Sequence, residues 1–395
     1  MEDIFEIARG GSPRPIDSFL TDDPDGVNWV MISDATESGK YINSTKKRIR
    51  EEGVKRSRVV RPGDFLLTNS MSFGRPYIMN TSGCIHDGWL VLSPRHQNVS
   101  PDFFYHLLGS DFVYAEFVRR AAGATVKNLN IDLVKRVQVP LPPLGEQRRI
   151  ADVLDRAESL RAKRRAALSQ LDALIQAIFL DLFGDPNFNE RDWPLCRIGS
   201  VISDLRGGAN LAPDDFVESG FPILHKGAIK PNGEVALDVK KKTFATPEYA
   251  TANRRCQIDR RYLAVTLRDL VPTGPSIGLI ANLQDGPFDG YLLAQGAYGF
   301  LVDSRKVTPE YLVFLSNMPS FRHVLRKYTV GSTQIHIRTP VYLDIPIPIP
   351  PLSIQREFTR RTAAVKRLEV TQRSTLEKLN ALFRSLQTLA FIGRL

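Results

Sequence analysis

Two stretches of the chain concentrate residues able to grip a polyanion. Ala35 to Arg61 holds nine Lys and Arg against three acids, and Lys226 to Arg261 holds nine against four, local excesses of six and five positive charges. They sit in a chain of net charge +10 and sequence pI near 9.5. A single basic run is commonly a solvated face. Two runs at matching places in a duplicated chain argue for a shared polyanionic partner. Lys and Arg supply affinity through phosphates, while sequence is read at base edges by Arg, Lys, Asn, Gln, Ser and Thr. On that chemistry the candidate nucleic-acid contacts in the first half are Arg14, Ser38, Lys40, Lys46, Lys47, Arg48, Ser72 and Arg75. In the second half they are Lys226, Lys230, Asn232, Lys240, Lys241, Arg254, Arg255 and Gln334.

Catalytic chemistry is hard to find. No GxxxxGK[ST] phosphate loop is present, and the six histidines are scattered without an HExxH pair or other helical ligand spacing. There is no Asn-Pro-Pro-aromatic motif of an amino-group methyltransferase, and Gly10-Gly11 and Gly207-Gly208 read as turns rather than cofactor loops. Glu234 with Asp238 and Lys240 resembles the acid-x-Lys end of a metal-dependent nuclease site but lacks a preceding acid. The expectation is no catalytic residue and no metal site, with a nuclease or a non-specific DNA-binding adaptor as the alternatives. Cys84, Cys196 and Cys256 are odd in number and lack CxxC spacing, as in a reduced cytoplasmic chain. The acidic N-terminus is unlike a signal peptide, no stretch is expected to reach transmembrane length, and no membrane partner is expected.

The elements that must present the basic residues are organised by an internal repeat. Gly123-Ala-Thr matches Gly331-Ser-Thr, and the offset of 208 holds without a gap in both directions. Upstream, Ser100-Pro-Asp-Phe103 lies on Thr308-Pro-Glu-Tyr311. Downstream, Pro140, Pro142, Pro143, Leu144, Gln147 and Arg148 meet Pro348, Pro350, Pro351, Leu352, Gln355 and Arg356. Earlier in each half the match needs a gap, pairing Gly63-Asp64-Phe65 with Arg268-Asp269-Leu270 and Ser72-Phe73-Gly74 with Ser276-Ile277-Gly278. The basic part has diverged, and the helical part has not.

After each proline run an apolar stripe alternates spacings of three and four, which predicts a helix of roughly 35 residues, about 50 Å long. Ile150, Val153, Leu160, Leu171, Leu174 and Ile178 form the first stripe, and Val365, Leu368, Leu379, Leu382 and Leu386 the second. These residues are the expected helix-pairing positions. Arg164 and Gln372 occupy the same polar seam position in the two copies. One chain buries both stripes most simply by pairing the helices as an antiparallel coiled coil. Strands are expected at Asp64–Thr68, Gly88–Leu92 and Gly299–Val302, and short helices at Pro101–Val118 and Pro309–Lys327.

The run Pro140-Leu-Pro-Pro-Leu-Gly-Glu-Gln-Arg-Arg-Ile-Ala-Asp-Val-Leu-Asp155, repeated after a second domain, resembles the central segment of specificity subunits of type I restriction-modification systems. Ile7-Ala-Arg-Gly-Gly-Ser-Pro-Arg-Pro15 resembles the start of a target recognition domain; Ser353-Ile354-Gln355 departs from Gly145-Glu146-Gln147 at the second helix start. The resemblance implies an α+β fold. Two mixed target recognition domains, 1–139 and 185–346, would be joined by long helices at 140–184 and 347–395 in an internal pseudo-two-fold repeat. It implies a non-catalytic subunit that reads one half of a bipartite, asymmetric DNA site with each domain. The helices would set the unread spacer. Partners would be double-stranded DNA, two modification (methyltransferase) subunits and two restriction (translocase/endonuclease) subunits. S-adenosylmethionine, ATP and Mg would belong to those partners, and no cofactor to this chain.

Overall fold

Proline runs and buried glutamines set where the long helices begin. In the computed structural model, which describes residues 1–69, 74–121 and 129–395, helices of 40 residues each span Leu144–Phe183 and Leu352–Phe391. Each starts directly after its Pro-Pro pair and is five residues longer than expected, about 60 Å. By length and composition alone the first is apolar enough to cross a membrane, so the expectation that no stretch reaches membrane-spanning length is corrected.

The chain divides into two units, Met1–Ala167 with Gln372–Leu395, and Leu168–Thr371. Each unit combines part of both long helices with two larger sheets, and the second adds two two-stranded ones among the described residues, Leu195–Arg197 with Pro346–Pro348 and Arg268–Asp269 with Ile335–His336. In the first unit one sheet runs in the order Phe5–Arg9, Trp89–Pro94, Phe65–Thr68, Pro76–Met79, Tyr41–Ile42. The other runs Leu20–Thr21, Lys47–Ile49, Val27–Val30, Gly83–Ile85, Arg58–Val60. The second unit repeats the plan with Ile202–Gly207, Ala297–Val302, Leu263–Thr266, Ile280–Asn282, and with Phe244–Ala245, Phe221–Leu224, Gly290–Leu293, Gln257–Asp259. In both second sheets one strand pair is parallel: Trp29 and Val30 lie beside Cys84 and Ile85, Ile223 and Leu224 beside Leu292 and Leu293.

Strand register extends the 208-residue offset back to Cys84 and corrects the gapped part of the repeat. Phe65 faces Leu92 and Leu263 faces Phe300, so Phe65 corresponds to Leu263 and not to Leu270. Apolar strands of this kind share burial rather than identity, which hid the match. The pairing of Gly74 with Gly278 holds, since each amide donates at 2.8 Å to the carbonyl of a buried threonine, Thr68 or Thr266. Ser72, Phe73 and the Gly123-Ala-Thr motif lie outside the described residues. The short helices expected in these stretches are two in each: Pro101–Leu108 and Asp111–Ala121, then Pro309–Asn317 and Pro319–Arg326. Gly109 and Ser110 break the first, and Pro319, whose ring cannot continue a helix, breaks the second.

Within the first unit the helices pair antiparallel: Arg149 donates to the Leu395 carbonyl, Arg161 to Asn380 and Arg164 to Gln372 Oε1 at 2.6 Å. The two polar seam residues therefore meet each other. The buried seam is displaced from the expected one. Ile150 and Val365 are buried, and Val153, Leu171, Ile178, Leu379 and Leu386 are partly covered. Leu160, Leu174, Leu368 and Leu382 are 46–55% exposed, which corrects their assignment to the pairing seam. Their places are taken by Leu154, Ala157 and Phe383 in the first unit and by Ile175, Phe179, Phe183 and Phe358 in the second. Each helix must cover a domain core as well as its partner, and that turns its buried stripe toward the sheets.

Two equivalent glutamines join helix to domain. Gln147 Oε1 accepts from Ser100 N at 2.8 Å while its Nε2 donates to the carbonyls of Asn98 and Pro142. Gln355 repeats all three bonds 208 residues on, to Thr308 N, Lys306 O and Pro350 O, so the Ser353-Ile354 departure leaves the joint intact. Beside this joint the units differ. In the first, Lys40 Nζ lies 2.6 Å from Asp102 and 2.8 Å from Asp155, and the buried His106 ring meets Asp155 at 2.7 Å. In the second, the counterparts of His106 and Asp155 are Phe314 and Ala363, and Phe314 packs 5.0 Å from Phe179 and 5.3 Å from Phe358. Burial alone would raise the Asp155 carboxyl. Hydrogen bonds from His106 and Lys40 reverse that and hold it below the ordinary range.

Gln355 is fully buried, so Gln355→Leu strands one amide and two carbonyls and is expected to cost about 2–4 kcal/mol. Urea unfolding of the full chain checks this, and a loss under about 0.5 kcal/mol would refute the joint. A depressed Asp155 stabilises the folded state above the unfolded carboxyl value and loses that contribution as pH falls. Asp155→Asn is thus expected to lower the urea midpoint at pH 7 by an amount that shrinks between about pH 5 and pH 3. A deficit independent of pH would exclude the ionic role.

Candidate nucleic-acid interface

In both units a cleft opens at the carboxyl end of a parallel strand pair. That end is where α/β sheets commonly receive ligands, because connecting loops diverge there and leave backbone donors available. A close backbone approach helps shape it. A Cβ on Gly10 would lie 2.0 Å from the His86 carbonyl oxygen, and one on Gly208 1.9 Å from that of Ala294, the residue 208 positions later. The glycine pairs read as turns are therefore places where the strands Phe5–Arg9 and Ile202–Gly207 close against the cleft floor.

The second unit's cleft, about 500 Å³, is lined by His225, Lys226, Gly227, Arg268, Leu270, Gln295 and Gln334. Lys226 and Gln334, candidates 108 residues apart in the chain, are brought together here. Asp269 is buried, accepts from the Leu270 and Ser276 amides at 2.7 and 2.8 Å, and pairs with Lys226 Nζ at 3.3 Å. Burial pushes His225 below the ordinary histidine value, and Lys230 and Lys226 add to the shift. With Lys226 paired to Asp269, Arg268 is the cationic side chain of the cleft lining that no carboxylate engages among the described residues. Arg268 was missed by sequence reasoning because the gapped repeat matched it to Gly63.

The first unit's cleft, about 280 Å³, brings Arg14 and Lys47 together with Ser12, Trp29, His86 and Asp87. Ser12 donates to Asp87 at 2.8 Å, and Arg14, 84% exposed, approaches the same carboxylate at 3.7 Å. Ser12, Asp87 and His86 were also missed: none lies in a basic run. The Ser12 hydrogen bond is the largest influence on Asp87 and holds its carboxyl below the ordinary range.

The other candidates are dispersed. Lys40 is corrected: its ammonium is engaged by Asp102 and Asp155 and lies over the Tyr41 and Tyr105 rings, so it joins domain to helix. Ser38 ends the helix Ile32–Ser38. Lys46 is exposed and paired with Glu37 at 2.5 Å, Arg48 reaches the Asp23 carbonyl, and Arg75 lies over the Tyr77 ring. Lys230 donates to the Gly227 carbonyl at the cleft margin, and Asn232 accepts from the Glu234 amide in the next turn. Lys240, Lys241, Arg254 and Arg255 are exposed away from the cleft lining, with Lys241 held by Asp238 at 3.2 Å. Ser72 lies outside the described residues.

Residues 1–170 match the family described as Type I restriction modification DNA specificity domain. The type I restriction enzyme MjaVIII specificity subunit of Methanocaldococcus jannaschii is 20% identical over 371 residues, covering 91% of this chain and 83% of that protein. The EcoKI specificity subunit of Escherichia coli K12 is 22% identical over 391 residues, covering 91% and 80%. Among solved structures, a chain from work on complex assembly and conformational transition of the type I R-M system matches with TM-score 0.57 and 19% identity over 99% of this chain and 98% of its own. The crystal structure of the S subunit from M. genitalium matches with TM-score 0.51 and 14% identity, covering 99% and 94%. The structural likenesses show a shared fold.

Proposed function

Because the chain belongs to the family of type I restriction-modification specificity subunits, we propose that residues 1–139 and 185–346 are target recognition domains, each reading one half of a bipartite, asymmetric DNA site. The chain is a non-catalytic specificity subunit. The observation that carries the two-headed reading is the pair of clefts: the same place in the same fold, furnished with different side chains. A repeated scaffold with two identical readers would specify a symmetric site; Ser12, Arg14, Lys47 and Asp87 on one side, and Lys226, Arg268 and Gln334 on the other, offer different donor and acceptor sets.

The helices within 140–184 and 347–395 set the unread spacer and dock two modification and two restriction subunits. The support is their unbroken 40-residue length and the equivalent leucine pairs left exposed, Leu160 with Leu368 and Leu174 with Leu382. S-adenosylmethionine, ATP and Mg act in those partner subunits, and the assembly works in the cytoplasm. No observation favours the nuclease alternative: Asp238 is taken up by Lys241 Nζ and the Lys240 amide.

Exchanging residues 1–139 for another such domain, in complex with the modification subunit, is expected to change one half of the methylated adenine site and leave the other. Sequencing of methylated DNA reads the result, and a change in both halves would refute the two-headed model. Inserting one helical turn into each long helix is expected to alter the spacer only, and an unchanged spacer would remove the helices from that role.

A further inference from the structure

The second unit's cleft contains an arginine that is oriented without being neutralised. Elsewhere in the second unit four arginines carry their own carboxylates: Arg206 has Asp204, Arg260 has Asp289, Arg261 has Asp259 and Arg305 has Asp303. Among the described residues no carboxylate pairs with Arg268. Its Nη2 instead donates to Gln334 Oε1 at 2.6 Å, a neutral acceptor that fixes the guanidinium plane and leaves its charge intact. The nearest acid in the chain, Asp269, is committed to Lys226 and to the 270–276 turn.

Both partners of this contact are held by backbone. Arg268 and Asp269 form a short strand paired with Ile335 and His336, which places the Arg268 side chain beside Gln334. Gly331 opens the turn to Gln334 with φ +106°, and a Cβ there would lie 2.1 Å from the Gln334 carbonyl oxygen. Only glycine fits. The repeated Gly-small-Thr motif, unexplained by helix or core, thus acquires a purpose in this copy: it holds the glutamine over the arginine.

We infer that Arg268, oriented by Gln334, is a reading fork for a guanine in the major groove of the half-site contacted by 185–346. The inference rests on the DNA-reading proposal above. A planar guanidinium with remaining N–H donors matches the O6 and N7 acceptors of guanine, the commonest specific arginine contact, and preorganisation by an amide lowers the cost of presenting it. Lys226, at the same cleft, holds Asp269 and so keeps that carboxylate off the arginine.

The test uses the full chain in complex with the modification subunit, with methylated-site sequencing on a random-sequence DNA library. The wild-type complex must first yield a defined bipartite site; failure to do so overturns the DNA-reading proposal itself. Given that site, Arg268→Ala and the charge-retaining Arg268→Lys are both expected to relax one G·C position in one half-site, lowering discrimination there by roughly 5- to 150-fold. Methylation at the remaining specified positions should persist, which also reports that the variants fold and assemble. Gln334→Ala is expected to relax the same position less. Uniform weakening with the site unchanged would show a phosphate contact and overturn the inference, as would relaxation at an A·T position. A variant inactive at every sequence counts against it only through Arg268→Lys, where retained activity with an unchanged site also overturns it.

Discussion

A single glutamine side chain, Gln147 in one half and Gln355 in the other, holds each domain to the helix that follows it. Each amide faces a backbone N–H and two backbone carbonyls where a helix begins, so one residue satisfies polar groups that chain direction would otherwise leave buried and unpaired. The domain side of this joint is a helix start, at Ser100 and at Thr308; the other side is the proline run that launches the long helix. Any tilt of domain against helix breaks three bonds together. The seam, the sheets and the clefts are positioned relative to that fixed corner.

The joint is conserved between halves while its surroundings are not. The first unit reinforces it with Lys40, Asp102, Asp155 and His106, the second with Phe314, Phe179 and Phe358. Ion pairs of this kind respond to pH and salt, whereas aromatic packing responds to temperature and cavity volume. The same geometry is therefore maintained by two different forces, and the halves can be perturbed separately. The clefts follow the same logic: a common backbone, closed by Gly10 or Gly208, carries unlike side chains.

The sequence by itself determined the repeat, the long helices, the glutamine positions and the polar pair at Arg164 and Gln372, because those features depend on periodicity, on proline's missing donor and on identities that survived at a constant offset. It also identified the basic runs. Tertiary structure decided which of their residues converge. Lys226 and Gln334 line one cleft only because Arg268-Asp269 pairs with Ile335-His336, and that pairing between distant segments has no periodic trace. Lys40 is indistinguishable from its basic neighbours in sequence, and only folding places two carboxylates on it. The helix stripe likewise showed that apolar faces exist but left open which leucines stay exposed, since the same 3–4 spacing serves a partner helix, a domain core and a docking surface. Burial against three-dimensional neighbours makes that choice, and it placed Leu160, Leu174, Leu368 and Leu382 outside.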